Sequence, residues 1–424
     1  MKSFSPIIKN FFSTLDNYIT GYSIKASSPI YNLTNVSPGP APININVIKK
    51  IANELDCSNT KINKFNFGNT PLEMSHRCPE FKEILDSVNN KIRKLMEIDE
   101  NFELIWTQAG GHGQFSSIPL NLKEIFPNLK GNYFVTGTWS ERAFLESKKF
   151  IDSENITNEF FKDKKFSLEY NFIPELVELL PNVDYLYLCS NETINGLEFR
   201  EDGFSYPDRK FLGKTKLIVD MSSDFLMKKV DWEKIDIAFA CTSKNMGVAG
   251  ANLVVIRKNI LDSLDKIKEK KIPCVLDWDL YFKNDSLYNT PAVFNFYLLD
   301  KILDNYIENF KTIDNIEKNS KQKAKLLYNY FEKSNLYKPV VSNKKVRSNI
   351  NIPFLVNNGN KKTCTEFLQH CFHHNLVGIR TQTPFSYSKN NLIEPLRISL
   401  YNGIDLEDVE RIIKVMDAFE IKIE

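Results

Sequence analysis

Six short apolar runs, at 103–107, 133–136, 184–189, 216–220, 236–241 and 252–257, narrow the fold more than any other feature of the chain. Helical patterns fall between several of them, such as "SERAFLESKKF" at 140–150. Runs of this length suit strands covered on both faces, and the intervening helices supply the cover. A largely parallel sheet in an α/β architecture is therefore expected. Upstream, "SPGPAP" (37–42) reads as a proline-rich turn opening a helix at 44–55. "PEFKEILDSVNNKIRKLMEI" places Phe81, Ile84, Leu85, Val88, Ile92, Leu95 and Met96 on one helical face, with Pro79 near its start. In the last hundred residues the pattern changes to helix 314–333, strand-like "NINIPFLV", helix 363–374, strand "LRISLY" and the helix "DLEDVERIIKVMDAF". The expected organisation is an N-terminal extension at 1–32, a large domain at 33–312 and a smaller α+β domain at 313–424.

Composition excludes several classes of function. A net charge of +2 gives no reason to expect nucleic acid or an acidic membrane surface as partner. No apolar run approaches membrane-spanning length. The seven cysteines are odd in number and form no C-x-x-C pair, so they read as reduced core residues of a cytoplasmic protein, neither a disulfide framework nor a zinc site. Residues 7–19 carry an apolar helical face but no arginine, which fits a docking helix or frayed extension better than a transit peptide.

In open α/β sheets ligands bind beyond the carboxyl ends of the strands, so the residues just past each run matter most. After "ELIWTQ" comes a glycine-rich loop, Ala109 to Gln114, entering a helix; such a loop offers free N–H groups to a phosphate. Trp139 stands at the start of the next helix, Thr193 lies just beyond "YLYLCS", and Asp220 closes "KLIVD". A carboxylate ending an apolar strand is costly unless paired. Lys244 comes after "IAFACTS", where a core strand reaches its lip. Phosphate loop, aromatic slab, hydroxyl, carboxylate and lysine at one rim are the set that pyridoxal 5′-phosphate needs. Lysine forms the Schiff base and the carboxylate keeps the ring nitrogen protonated.

The stretches "MSHRCPEF", "GGHGQFSSIPLNL", "TGTWSERA", "NETINGLEF", "VDMSSDF", "SKNMGVAGANLVVIR", "SLYNTPAVFNF" and "LRISLYNGIDLEDV" closely resemble the phosphoserine aminotransferase family, in the aspartate-aminotransferase-like fold type I of pyridoxal phosphate enzymes. They run in family order from about residue 33 onward. The resemblance implies a homodimeric transaminase acting on amino acid and 2-oxo acid substrates, glutamate and 3-phosphohydroxypyruvate among them, in serine biosynthesis. It implies that Lys244 carries the cofactor and shuttles the substrate proton. Asp220 would pair with the pyridine nitrogen, Trp139 stack on the ring and Thr193 contact its phenolic oxygen. Gly111, His112 and Ser243 would hold the phosphate, joined by Asn289 and Thr290 from the other subunit. Arg397 would grip the substrate α-carboxylate, a bidentate task. His76 and Arg77 would hold the substrate's own phosphate.

Two departures stand out. Ser243 replaces the family's usual glutamine before the lysine. The family's Gly-His-Arg clamp on the substrate phosphate aligns with Thr381-Gln382-Thr383, or with His374-Asn375 in a rival alignment, with an insertion at 384–394 beyond it; Arg380 is the remaining nearby cation. Three alternatives to phosphoserine transamination stay open at this point. They are a relative working on another acidic or polar amino acid, a different pyridoxal phosphate reaction on the same fold, and a scaffold that has lost activity.

Overall fold

The structure, a computed structural model, describes residues 33–55, 70–157, 183–379 and 395–423. The expected extension at 1–32, Cys57, Arg380, Thr381–Thr383 and the insertion at 384–394 lie outside them.

A seven-stranded sheet forms the centre. Its strands in chain order are β1 (Phe102–Thr107), β2 (Lys130–Phe134), β3 (Asp152–Asn155), β4 (Tyr185–Cys189), β5 (Lys216–Asp220), β6 (Ile237–Cys241) and β7 (Asn252–Arg257). Across the sheet they lie in the order β1-β7-β6-β5-β4-β2-β3. Only β7 runs antiparallel to its neighbours; the other pairs are parallel.

The central strands are apolar between their ends because both faces are covered. Leu186, Leu188, Leu217, Val219, Ala238, Ala240, Leu253 and Val255 point into one core. The residues between them, Tyr185, Tyr187, Ile218, Ile237, Phe239, Val254 and Ile256, point into a second. This is the two-residue period of a strand, read twice. Helices α1 (Ile45–Leu55), α2 (Pro79–Met96) and α5 (Val293–Phe310) help cover the first face, and α3 (Gly110–Ile125) and α4 (Thr138–Ser147) the second. Between α2 and α5, Phe81 meets Phe296 edge-on at 5.6 Å, and Lys91 lies 2.6 Å from Asp300 and 2.5 Å from Asp304.

Two strand expectations need adjustment. The run at 133–136 becomes β2 ending at Phe134, because the Thr136 and Gly137 N–H groups donate to Ser140 Oγ at 2.9 and 3.0 Å and turn the chain into α4. The edge strand β3 has the sequence DSEN, in which only Ser153 is buried. An edge strand needs little apolar surface, so hydrophobicity gives it no signal.

A separate core is built by α6 (Ile313–Phe331), the antiparallel strands β8 (Tyr337–Pro339), β9 (Asn351–Val356) and β10 (Leu396–Ser399), α7 (Lys361–His373) and α8 (Leu406–Ile423). Thr34–Asn35 pairs in parallel with Leu376–Val377, and Val36 is buried in this core. The seam between this core and the large sheet is polar. Asn191 Nδ2 donates to Asn351 Oδ1 at 2.7 Å and to Ser223 Oγ at 2.8 Å. Ser348 Oγ donates to Asn191 Oδ1 at 2.7 Å, and Asn351 Nδ2 to Ser399 Oγ at 2.9 Å.

Candidate active site

Register brings the strand ends level. Thr107 pairs with Asn252, and Asn252 with Cys241; Asp220 pairs with Phe239 and Cys189. The segments leaving β1, β2, β4, β5 and β6 therefore share one rim.

Lys244 lies in the turn after β6, half-buried, and its Nζ donates to Thr193 Oγ1 at 2.8 Å. The proline-rich turn passes beside it: a Cβ on Gly39 would stand 3.4 Å from Lys244 Cε. That turn is pinned at both ends, since Ala41 N donates to Ser243 O at 2.9 Å and Tyr401 Oη to Pro38 O at 2.8 Å. Asn245, next along the chain, is held by Asn402 N at 3.2 Å, Phe225 O at 3.2 Å and Tyr306 Oη at 2.7 Å.

Thr193 serves a second group. Its carbonyl accepts from Arg397 Nη1 at 2.8 Å. Arg397 is 3% exposed, and its Nε and Nη2 have no hydrogen-bond partner. Burial pulls its guanidinium down to about 10, which leaves it charged at neutral pH. A buried cation with free donors is a receptor for an anion, because leaving such donors unmet is costly.

Asp220 is buried, with Oδ1 accepting from Ser222 N at 2.9 Å and Oδ2 from Tyr187 Oη at 3.3 Å. Burial pushes its carboxyl up to about 6, against the downward pull of the Ser222 N–H hydrogen bond and the Lys244 charge. No cation is hydrogen-bonded to it among the described residues. A protonated ring nitrogen would supply the missing counter-charge.

Trp139 is half-buried at the second position of α4, and its indole N–H is buried without a partner. His112 meets its ring edge-on at 5.7 Å and the Arg142 guanidinium lies 4.9 Å from the ring centroid. The helix carrying it is anchored by Glu192. The Trp139 and Ser140 N–H groups donate to the Glu192 carboxylate at 2.9 Å each, and Ser140 Oγ at 2.5 Å. Burial pushes Glu192 up to about 7 despite these bonds.

At the glycine-rich loop, Ala109 (φ +68°) and Gly110 (φ +58°) take consecutive left-handed conformations leading into α3. The first N–H groups of a helix have no intrahelical acceptor, so the start of α3 offers donors to an anion. Ser222 Oγ, buried and without a partner, lies 3.8 Å from where a Gly111 Cβ would be. Ser243 Oγ is 3.4 Å from Cys241 Sγ. The pieces fit pyridoxal phosphate: amine, stacking ring, buried carboxylate lacking a cation, and an amide cradle with a spare hydroxyl.

Four candidates stand apart within the protomer. Asn289 Oδ1 accepts from Tyr281 Oη at 3.0 Å, and the Thr290 carbonyl from Gln108 Nε2 at 2.8 Å. His76 is half-buried, and the Arg77 side chain is exposed with no hydrogen bond or ion pair among the described residues. None of the four is hydrogen-bonded to Lys244, Thr193, Asp220 or Arg397. Sequence reasoning missed Glu192, Ser222, Asn245 and Tyr401; the acid inside "NETI" and the serine after Asp220 were the available signals. A separate cleft of about 590 Å³ is lined by Glu198, Tyr206, Lys228 and Trp232. Its buried Lys228 is answered by Asp224 at 2.8 Å and Glu198 at 3.5 Å, and no catalytic candidate lines it.

Comparison with known proteins agrees with this geometry. The class-V aminotransferase family model matches residues 33–412. Phosphoserine aminotransferase of Buchnera aphidicola is 34% identical, over 93% of this chain and 99% of its own. The chloroplastic phosphoserine aminotransferase 1 of Arabidopsis thaliana is 31% identical, over 92% of this chain and 82% of its own. Among solved structures, phosphoserine aminotransferase from Bacillus circulans superposes with a TM-score of 0.78 at 27% identity, covering 92% of this chain and 99% of that one. The PLP-bound enzyme of Trichomonas vaginalis gives 0.76 at 28% identity, with 91% and 99% covered. The chain belongs to the phosphoserine aminotransferase family of class-V aminotransferases.

Proposed function

We propose that the chain is a pyridoxal phosphate-dependent transaminase that exchanges the amino group between glutamate and 3-phosphohydroxypyruvate, giving phosphoserine and 2-oxoglutarate. The observation that carries this reading is the double use of Thr193. Its hydroxyl holds the Lys244 amine and its carbonyl holds Arg397, whose free donors await an anion. A proton-moving amine and a carboxylate receptor sharing one residue suit an α-amino acid.

Bound at this rim, pyridoxal phosphate supplies the electron sink for the bond broken at the substrate Cα. Lys244 would take the proton from the substrate Cα and hand it on, acting as base and then as acid. Asp220, ionised, would keep the ring nitrogen protonated, and Trp139 would hold the ring. Gly111, His112, Ser243 and Ser222 hold the cofactor phosphate. Asn289 and Thr290 of a second copy complete that site, which makes the functional unit a homodimer. Arg397 orients the α-carboxylate, while His76 and Arg77 meet the substrate's distal phosphate. The six cysteines among the described residues form no disulfide, which suits a reduced compartment, the cytoplasm. Among the described residues no helix is long and apolar enough to cross a membrane.

A second reading rests on the family resemblance: the clamp element aligns with Thr381-Gln382-Thr383, or with His374-Asn375, and neither stretch holds an arginine. A hydrogen bond to a charged group is worth about 1.5–3 kcal/mol, so losing one lowers phosphate affinity roughly ten- to a hundred-fold. The deciding experiment is the single-turnover change in cofactor absorbance on adding L-phosphoserine and, separately, L-glutamate. Comparable conversion by both supports the phosphoserine assignment. Conversion by glutamate alone moves the partner substrate to another 2-oxo acid.

A further inference from the structure

Lys323, on α6, is 0% exposed, and no part of the chemistry above uses it. Its Nζ makes no ion pair among the described residues. Instead it donates to three backbone carbonyls of one turn: Leu400 at 3.1 Å, Tyr401 at 2.9 Å and Ile404 at 2.7 Å. A buried ammonium with carbonyls as its sole close partners is expensive to keep, and an unbranched apolar side chain such as methionine would nearly fill the space without that cost. Burial pulls Lys323 down to about 7, and Asp405 and Asp408 are the charges that oppose the fall.

The turn it grips is the one that reaches Lys244 from two sides. Tyr401 Oη donates to Pro38 O, at the proline-rich turn beside the lysine, at 2.8 Å. Asn402 N donates to Asn245 Oδ1 at 3.2 Å, and Asn402 Nδ2 to Leu226 O at 2.8 Å. Gly403 presses so close to the turn that a Cβ would fall 2.1 Å from Pro42 O. The same segment continues β10, which carries Arg397.

We propose that Lys323 is a positioning residue: by tying the 400–404 turn together it fixes the setting of Lys244 and Arg397 relative to each other. The inference rests on the reading of Lys244 as the cofactor lysine. A backbone turn has no side chain of its own to hold its carbonyls inward, and three donors on one tetrahedral nitrogen do so from a single point.

The test compares Lys323→Met, which keeps the bulk and removes the donors, with Lys323→Gln, which keeps two N–H donors without charge. Cofactor-free protein is mixed with pyridoxal phosphate, trapped with borohydride at timed intervals, and the modified lysine is located by peptide mass. Transamination kcat/KM is measured alongside, with Asn402→Ala as partner in a double-mutant cycle. The Met variant is expected to lose about ten- to a hundred-fold in trapping rate and in kcat/KM, and the Gln variant about three- to ten-fold. Combined with Asn402→Ala, the Met variant is expected to be no worse than the worse single change. Wild-type trapping rates in the variants, or fully additive losses, overturn the proposal even if the melting temperature falls. Should the Met variant fail to fold, the Gln variant decides: a loss of at least about threefold supports the proposal, and none overturns it. Wild-type trapping on a lysine other than Lys244 removes the underlying reading and this inference with it. Trapping on Lys244 that is indifferent to residue 323 removes the inference alone.

Discussion

Arg397 Nη1 donates to the carbonyl of Thr193 across 2.8 Å, and that single bond leaves Nε and Nη2 free. Those two nitrogens form one edge of the planar guanidinium, the edge that meets a carboxylate through two parallel bonds. Arg397→Lys keeps a charge but loses the fork. The KM for glutamate and for phosphoserine should both rise about ten- to a hundred-fold, since both carry the α-carboxylate. Steady-state kinetics with each substrate checks it; a change confined to one substrate would show that Arg397 meets a side chain instead.

Asp220 gives a pH signature. Its carboxyl sits at about 6 in the cofactor-free protein against an ordinary 3.8. A raised folded-state value means that the folded protein binds the extra proton between those limits. Stability from this source is therefore full below about 4 and lost as pH rises through about 6. The difference corresponds to roughly 3 kcal/mol. Cofactor-free Asp220→Asn should gain on the wild type in denaturant melts as pH goes from 4 to 7. Bound pyridoxal phosphate should erase the wild type's deficit by placing a cation there, while the Asn variant binds the cofactor more weakly. A pH-independent difference between the two proteins contradicts this account.

Glu192 tests the anchoring of Trp139. In Glu192→Ala the N–H groups of Trp139 and Ser140 lose their acceptor, a helix-capping loss of about 0.5–2 kcal/mol. The melting temperature should fall, and tryptophan fluorescence should change in the cofactor-free protein. Glu192→Gln, which retains one acceptor oxygen, should fall between the two. If Trp139 were fixed by its neighbours alone, the Ala variant would keep the wild-type emission.

Arg77→Ala addresses the distal phosphate. Its side chain has no internal partner among the described residues, so removal should leave stability within about 0.5 kcal/mol. The KM for phosphoserine should rise about ten- to a hundred-fold, and more than that for glutamate. Equal effects on both substrates would place Arg77 away from the phosphate.

The sequence carried the sheet because strands buried on both faces are written as apolar runs with polar ends. β5 and β7 begin and end where the runs do, whereas β3, polar and at the edge, left no trace. The chemical groups at the strand ends were legible for the same reason: Lys244 and Asp220 break a pattern that is otherwise unbroken. What holds them was not. Tyr401 and Pro38 are 363 positions apart, and Lys244 and Thr193 are 51. No local period marks contacts that chain folding alone brings together. Glu192 was hidden differently, inside a motif in which Thr193 drew the attention.

The amide and hydroxyl bonds joining Asn191, Ser348, Asn351 and Ser399 have a mechanical consequence. An oily contact can slide, since one greasy neighbour replaces another at little loss. A buried lattice of directed bonds has one low-energy setting, and shifting it by a fraction of a bond length strands several dipoles at once. Arg397 is carried by β10, which ends in that lattice, and both it and Lys244 reach Thr193, so the gap between them behaves as a fixed gauge. Substrates that differ in reach must be accommodated by the loops around it, with the frame held still.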